Sequence, residues 1–380
     1  MDEINVIDAA HGYVEMLNRL GVDYVFSSPG SEFISLWEHL ARYNAEGKKP
    51  FYINTRHEGT ALSMAKGYYM ATGKPQTILT HVITGLLHGA MALKAAYTDQ
   101  IPLLMIVGQN RTHNNELHGG TPGPHYLSFT EVGGQERLVQ PYVKWGDSPE
   151  TNANILDVIQ RAYRIADTEV KGPVLLNISR ELLFEQVTEM KIPEYLPMKN
   201  RLTADPETIN KLKEMLLKAD NPLIFTRYLG RNSEAVNELI QLTDLLQIPV
   251  FELPGYMNFP TDNPLHMGTS ILPYVEKADI LLVIDSSSWP PWYPPVSIRE
   301  KTDAKIVFID PDPVQMKYPV YGYPSDLIVK ADSYTVIRRL NQLFKDKKLN
   351  RDSIKARKEH WTREHRRIRD EQEKKALAVK

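Results

Sequence analysis

Arg56-His57-Glu58-Gly59-Thr60-Ala61-Leu62-Ser63-Met64-Ala65-Lys66-Gly67-Tyr68, followed by Thr72-Gly73-Lys74-Pro75, is the stretch on which the fold turns. A strand pattern over residues 50–54 ends just before it, and a carboxylate then opens a helix dense in small residues over 58–72. The Gly-Lys-Pro run stops that helix, and a strand pattern over 76–80 begins at once. Working outward, residues 9–20 read as an amphipathic helix and 24–26 as a short strand closed by Ser27-Ser28-Pro29-Gly30. Helix patterns over 32–43 and 86–97 alternate with these, and 103–107 is a strongly apolar strand. Alternation with short connections predicts a parallel sheet covered by helices on both faces. Residues 111–134 are loop-rich around Gly119-Gly120-Thr121-Pro122-Gly123-Pro124, and a helix over 153–166 and a strand over 173–178 close the series.

A second α/β series follows, with strands over 223–226, 249–252, 280–284 and 305–309 and helices over 206–217, 233–246 and 336–344. The fold class is therefore α/β: two doubly wound parallel-sheet domains, over 1–184 and 202–345, joined by a linker over 185–201. A chain of 380 residues suits two domains at roughly 100–200 residues each. The remainder, 346–380, is a charged helical tail. Between Lys345 and Lys375 it carries 13 basic and 7 acidic residues, a net of +6. Ile354, Trp361 and Ile368 recur every seven residues on it as a narrow apolar stripe. A tryptophan on such a helix docks against its own chain or a partner.

Composition excludes several classes. The chain has no cysteine, which removes disulfide scaffolds, thiolate metal sites and a cysteine nucleophile. A net charge of −2 argues against bulk nucleic-acid binding. No apolar run approaches the ~20 residues of a membrane helix, and Met1-Asp2-Glu3 lacks the basic start of a signal peptide. The expectation is a cytoplasmic protein that binds neither nucleic acid nor membrane. His113, His118 and His125 share no element, which speaks against a metal site, and His360 and His365 read as solvated. Trp289-Pro290-Pro291-Trp292-Tyr293-Pro294-Pro295 reads as a stiff aromatic wall of a pocket or interface.

The opening stretch resembles the pyrimidine-binding domain of thiamine-diphosphate-dependent enzymes of the acetolactate synthase and benzoylformate decarboxylase group. The resemblance continues through Gly21-Val22-Asp23-Tyr24-Val25-Phe26, Pro29-Gly30-Ser31, Ala96-Tyr97-Thr98-Asp99 and Gly172-Pro173-Val174. In the second half, Ile248-Pro249-Val250, Asn263-Pro264-Leu265, Ala278-Asp279-Ile280 and Ile309-Asp310-Pro311-Asp312 resemble that group's central domain. By position, the resemblance implies that Glu58 is the carboxylate that hydrogen-bonds the aminopyrimidine ring and shifts its tautomer. The exocyclic nitrogen then takes the proton from the thiazolium carbon. It also implies an active-site histidine at His81 and a substrate-contacting serine at Ser31. Pro29, Gly30, Thr84, Gly85 and His88 fall where relatives line the cofactor. The chain departs from the group at Ile83-Thr84-Gly85-Leu86-Leu87-His88, where many relatives carry Gly-Pro-Gly-x-x-Asn. His88 either takes over the asparagine's polar role or is only a solvated helix residue.

Relatives of this type need a third domain that binds the diphosphate through magnesium. Gly146-Asp147-Ser148 with Asn177 mimics its signature, but the segment before Gly146 is a poor strand and Asn177 better ends the strand over 173–178. No metal ligand is therefore assigned in this chain. The expectation is a separate diphosphate-binding subunit that holds the magnesium, with homodimerisation inside a heterotetramer or larger assembly. This rests on a chain that begins at Met1 and ends on a helical tail whose Trp361 stripe is available to a partner. Thr226-Arg227-Tyr228-Leu229-Gly230-Arg231 lacks a glycine-rich turn, so FAD is not expected. The leading reading is a lyase, carboligase or decarboxylase making or breaking a carbon–carbon bond beside a carbonyl. The alternatives are acetolactate synthase-type chemistry, 2-hydroxyacyl-CoA lyase-type chemistry, and a non-catalytic regulatory relative.

Overall fold

A computed structural model describes residues 2–28, 30–110, 112, 131–187, 189–198, 200–286, 302–314, 324–345, 347 and 349–378. Pro29, the three histidines of the 111–134 loop and the Trp289–Pro295 wall lie outside the described residues. The chain divides into two compact units, Met1–Lys199 and Asn200–Lys380.

The first unit runs β1 (Asp2–Asn5), α1 (Ala9–Arg19), β2 (Tyr24–Ser28), α2 (Ile34–Ala45), β3 (Phe51–Asn54), α3 (Glu58–Thr72) and β4 (Gln76–Thr80). It continues with α4 (Val82–Thr98), β5 (Leu103–Gln109), β6 (Trp145–Asp147), α5 (Ile155–Asp167), β7 (Val174–Ser179), α6 (Arg180–Phe184) and β8 (Glu189–Ile192). Six strands form one parallel sheet in the order β3-β2-β4-β5-β7-β6. Register is fixed across its centre by Phe26 opposite Ile78, Ile78 opposite Met105, and Met105 opposite Leu175. All five residues of β4 and all six of β7 are buried, as expected of parallel strands covered on both faces. One such cover is α1, whose Tyr13, Val14 and Leu17 join Val25, Leu104 and Leu176 in the core. From β2 the chain pairs outward to β3 on one side and to β4 on the other. The crevice beyond the carboxyl ends of β2 and β4 is thus the topological switch point, where open α/β sheets bind ligands.

Three local expectations change. The helix expected over 86–97 begins at Val82, so Thr84 and Gly85 join His88 on a helix. The segment read as a linker holds β8, paired antiparallel with β1 from Asp2 opposite Ile192 to Asn5 opposite Glu189. Its buried residues alternate, Met190 and Ile192 facing inward, but four residues are too few to reveal that period among prolines and lysines. The stretch read as a poor strand supplies β6, a three-residue edge strand on β7.

The second unit comprises α7 (Pro206–Lys218), β9 (Pro222–Thr226), α8 (Ser233–Leu246), β10 (Val250–Glu252), α9 (Leu272–Val275) and β11 (Ile280–Ile284). It ends with β12 (Lys305–Asp310), β13 (Leu327–Lys330), α10 (Ser333–Lys345) and α11 (Arg351–Ala378). Its five strands are parallel in the order β10-β9-β11-β12-β13, again doubly wound. The charged tail is α11, and its stripe is seated on its own unit. Trp361 is 4% exposed and lies 5.6 Å from the Tyr274 ring. Tyr274 donates to Glu364 at 2.7 Å, and His365, expected to be solvated, bonds through Nδ1 to the His266 carbonyl at 2.8 Å. Trp361 and Ile368 of the stripe are thus taken up by the core of their own unit. No helix among the described residues is long and apolar enough to cross a membrane.

Candidate active site

Three strand ends bring the site together. Beyond β3, Thr55 turns the chain by donating its N–H and hydroxyl to the Ser27 carbonyl. His57 then caps α3, accepting the Gly59 N–H on Nδ1 at 2.9 Å. Glu58 is the first residue of α3, where the helix dipole favours a negative charge. Its side chain turns inward, and the residue is only 8% exposed. On α4, His88 lies 2.6 Å from it, Nδ1 to Oε2; with the carboxylate ionised, the imidazole N–H is the donor. Burial raises the Glu58 pKa, but its own backbone N–H, the Ser28 hydroxyl and His88 outweigh that and hold it below the ordinary carboxylate value. His88 is thus the polar partner of Glu58, and not a merely solvated helix residue.

Two glycines of α4 allow this approach. A Cβ on Gly85 would stand 3.4 Å from Glu58 Oε1 and 3.3 Å from the Thr80 backbone carbon. One on Gly89 would stand 3.3 Å from the Glu58 Cβ. Gly85 is buried in the first turns of α4, while Thr84 beside it is exposed.

His81 follows β4 at the switch point, and its partner is a residue the sequence did not single out. Glu32, fully buried, accepts from His81 Nδ1 at 2.7 Å and from the Val82 N–H at 3.3 Å. Its carboxylate occupies a hollow that exists only because Gly30 and Gly108 have no side chain. A Cβ on Gly30 would fall 2.4 Å from both Glu32 oxygens, and one on Gly108 2.3 Å from Oε1. The bond to Glu32 raises the His81 pKa against partial burial, with smaller help from the charges of Glu32, Glu131 and Glu58. Glu131, which accepts the Asn110 N–H at 3.1 Å, is itself raised by burial. Val82 has φ of 28°, a left-handed conformation that costs a β-branched residue about 1–3 kcal/mol and gathers at functional sites.

Of the remaining candidates, Ser31 is exposed at the start of a 3-10 turn, Ser31–Phe33, and Gly30 is buried just before it. Asn177 is tied to Gln135, Gln109 and Ser148, an internal network of the β5–β7 region rather than a cation ligand set. The signal for Glu32 was its position: an acid directly after Pro-Gly-Ser, at the end of a strand due to be buried, needs a partner. The donor set that results, one buried carboxylate with imidazoles around it, suits the edge of a nitrogen heterocycle. A hard cation such as magnesium prefers a cluster of oxygens.

Residues 7–129 match the model described as the thiamine pyrophosphate enzyme N-terminal TPP binding domain. Residues 209–340 match that of the thiamine pyrophosphate enzyme central domain. The chain is 25% identical over 354 residues to a probable 2-ketoarginine decarboxylase of Pseudomonas aeruginosa, covering 90% of this chain and 58% of that protein. It is 26% identical over 343 residues to a sulfoacetaldehyde acetyltransferase of Rhodobacter capsulatus, covering 86% and 53%. Its fold is similar to that of benzoylformate decarboxylase from Polynucleobacter necessarius, with a TM-score of 0.73 at 22% identity, covering 89% of this chain and 61% of that one. The chain thus spans a little over half the length of these curated relatives.

Proposed function

Because the chain belongs to the thiamine pyrophosphate enzyme family, we propose that it is the pyrimidine-binding and central part of a thiamine-diphosphate-dependent lyase, carboligase or decarboxylase. Its substrate is a small 2-oxo acid, acyloin or aldehyde. The observation that carries this reading is the buried Glu58 carboxylate at the start of α3, oriented by His88 and neighboured by an imidazole that a second buried carboxylate holds. When bound, the cofactor supplies the electron sink for a bond broken beside a carbonyl.

The chain's own residues divide the remaining work. Glu58 would hold the aminopyrimidine at its ring nitrogen and carry the proton there. His88 fixes one carboxylate oxygen, Oε2, while Oε1 lies on the side kept open by Gly85. His81, kept cationic to higher pH by Glu32, has Nδ1 engaged and offers a proton from its other nitrogen, Nε2. Ser31 presents a hydroxyl nearby in sequence to the buried pair. Release of an aldehyde after loss of CO2 needs a proton delivered to carbon, whereas condensation of two oxo acids needs one delivered to the acceptor's carbonyl oxygen. A cationic imidazole can supply either proton; decarboxylase or lyase chemistry is the leading reading, with acetolactate synthase-type condensation as the lesser one.

Magnesium and the diphosphate would be held by a separate subunit. Support for a second chain comes from α3 and α4, where Met64, Leu87 and Met91 are 41%, 55% and 82% exposed beside the Glu58 end of the site. Large apolar side chains left exposed on neighbouring helices suit such an interface. Isolation of the native complex and intact-complex mass spectrometry, followed by assay with 2-oxo acids, tests the reading. The expected result is a stoichiometric second chain and a complex whose His81→Ala variant loses about 10²–10⁴ in kcat. A homo-oligomer that turns over no 2-oxo acid or aldehyde counts against it.

A further inference from the structure

We propose that His57, Glu58 and His88 also form a binding site for one divalent ion of the zinc class, distinct from the magnesium expected at a diphosphate. The ligand-capable atoms of the three side chains all lie within 4.8 Å of one another. The two imidazole rings are 4.0 Å apart between centroids, and His88 Nδ1 is 2.6 Å from Glu58 Oε2. Two ligand atoms on a tetrahedral zinc stand about 3.4 Å apart, given metal–nitrogen and metal–oxygen bonds of about 2.1 Å. Rotations of about an ångström close the site.

The framework is stiff while the imidazoles can move. His57 and Glu58 are the cap and first residue of α3, and α4 packs on that turn through Gly89. His57 and His88 are both exposed, so an ion reaches them from solvent. It takes the place of the Nδ1 proton between His88 and Glu58, and the neutral imidazole keeps its one proton on Nε2. His57 exchanges its bond with the Gly59 N–H for a metal bond. Two imidazoles and one carboxylate suit zinc, copper or nickel, and leave an open fourth position for water. Magnesium, with its preference for oxygen, is a poor competitor here. The third ligand is a departure from the related pattern, in which many members carry asparagine where His88 stands.

One consequence rests on the reading of Glu58 given above. A carboxylate engaged by the ion is not available to the aminopyrimidine, so zinc and thiamine diphosphate exclude each other. Zinc then acts as an inhibitor that leaves the fold intact.

The test is isothermal titration of the chelator-stripped full chain with zinc chloride alone, in the absence of cofactor. One ion per chain is expected, with affinity weakened at least tenfold by His88→Asn and by His57→Gln. Circular dichroism shows whether each variant is folded. Cobalt(II) provides an independent readout: the visible absorption of a four-coordinate site is expected in the wild type and lost in His88→Asn. His360→Gln, on the exposed face of α11, is expected to leave zinc binding unchanged. The proposal is overturned if the wild type binds no zinc, or if both site variants bind it as tightly as the wild type. Repeating the titration on the native complex, with its diphosphate-binding subunit, thiamine diphosphate and excess magnesium, separates the two readings. Competition supports both, whereas undiminished zinc binding at these residues keeps the metal site and removes Glu58 from the cofactor.

Discussion

Glu32 is the residue whose meaning emerges only in three dimensions. It directly follows Ser31, which was singled out, yet it is Glu32 that meets His81, in a hollow made by Gly30 and Gly108. Glu58, His81 and His88 were legible through the resemblance of their positions to the related pattern, since a first-turn carboxylate by itself more often only complements the helix dipole. Glu32 was not, because its partner lies 49 positions away. The pair predicts a titration effect. His81 is raised above its ordinary value by Glu32, so its contribution to stability is complete below the unfolded pKa of about 6.5 and is lost as pH rises through the folded value. In Glu32→Gln, the glutamine oxygen can still accept from Val82 but the charge is gone. The His81 NMR titration midpoint should fall, and the stability deficit against wild type should be largest below about pH 6.5 and shrink toward alkaline pH. An unchanged midpoint would mean that Glu32 does not govern the imidazole.

At the scale of elements, α4 shows how a site is built by leaving atoms out. Its glycines were visible in the sequence, but the helix was expected to begin at residue 86, because Gly85 and the threonine before it weaken helix propensity. Packing against α3 overrides that preference. Glycine to alanine inside a helix gains roughly 0.5–1 kcal/mol from the backbone, while forcing atoms into a packed contact costs about 1–3 kcal/mol. At Gly85 the added Cβ meets the Thr80 backbone, which cannot yield. At Gly89 its nearest neighbour is a terminal methyl of Leu62, 3.0 Å away, which can, and the Glu58 Cβ at 3.3 Å is a side-chain rather than a backbone contact. Gly85→Ala should therefore destabilise by about 1 kcal/mol and perturb Glu58, while Gly89→Ala should stay within about 0.5 kcal/mol of wild type, as chemical denaturation would measure. Equal effects at the two positions would contradict this account of the α3–α4 contact. The same competition explains the missed β8: four residues with a two-residue period carry less signal than the prolines and lysines around them.

For the molecule as a whole, both doubly wound sheets were legible, since long buried strands alternating with helices leave few other topologies. What the pattern could not supply was the seating of the tail, which depends on Tyr274 and His266 of a distant segment. The amino end of the first sheet carries its own clip. Asp23, nearly buried, accepts from Tyr68 at 2.8 Å and from Lys74 at 3.1 Å and is paired with Lys49. Burial raises its pKa, but these partners bring it down to about 2. Such a carboxylate stabilises the fold above its unfolded pKa of about 3.9 and loses that contribution as pH falls through the folded value. Both lysines are half-exposed, so screening leaves on the order of 1 kcal/mol. Asp23→Asn should be less stable by about that amount at pH 7, with the gap narrowing between about pH 4 and pH 2. Urea unfolding across that range checks it, and a gap independent of pH would exclude the ionic origin.

The central claim, that Glu58 activates a bound thiamine diphosphate, is tested most directly by exchange of the cofactor's thiazolium C2 proton for deuterium, followed by NMR on the complex isolated from native cells. Wild type should exchange far faster than free cofactor, and Glu58→Gln should lose at least a hundredfold while its circular dichroism is unchanged. Equal exchange in the two proteins, or no acceleration in the wild type, would contradict the account.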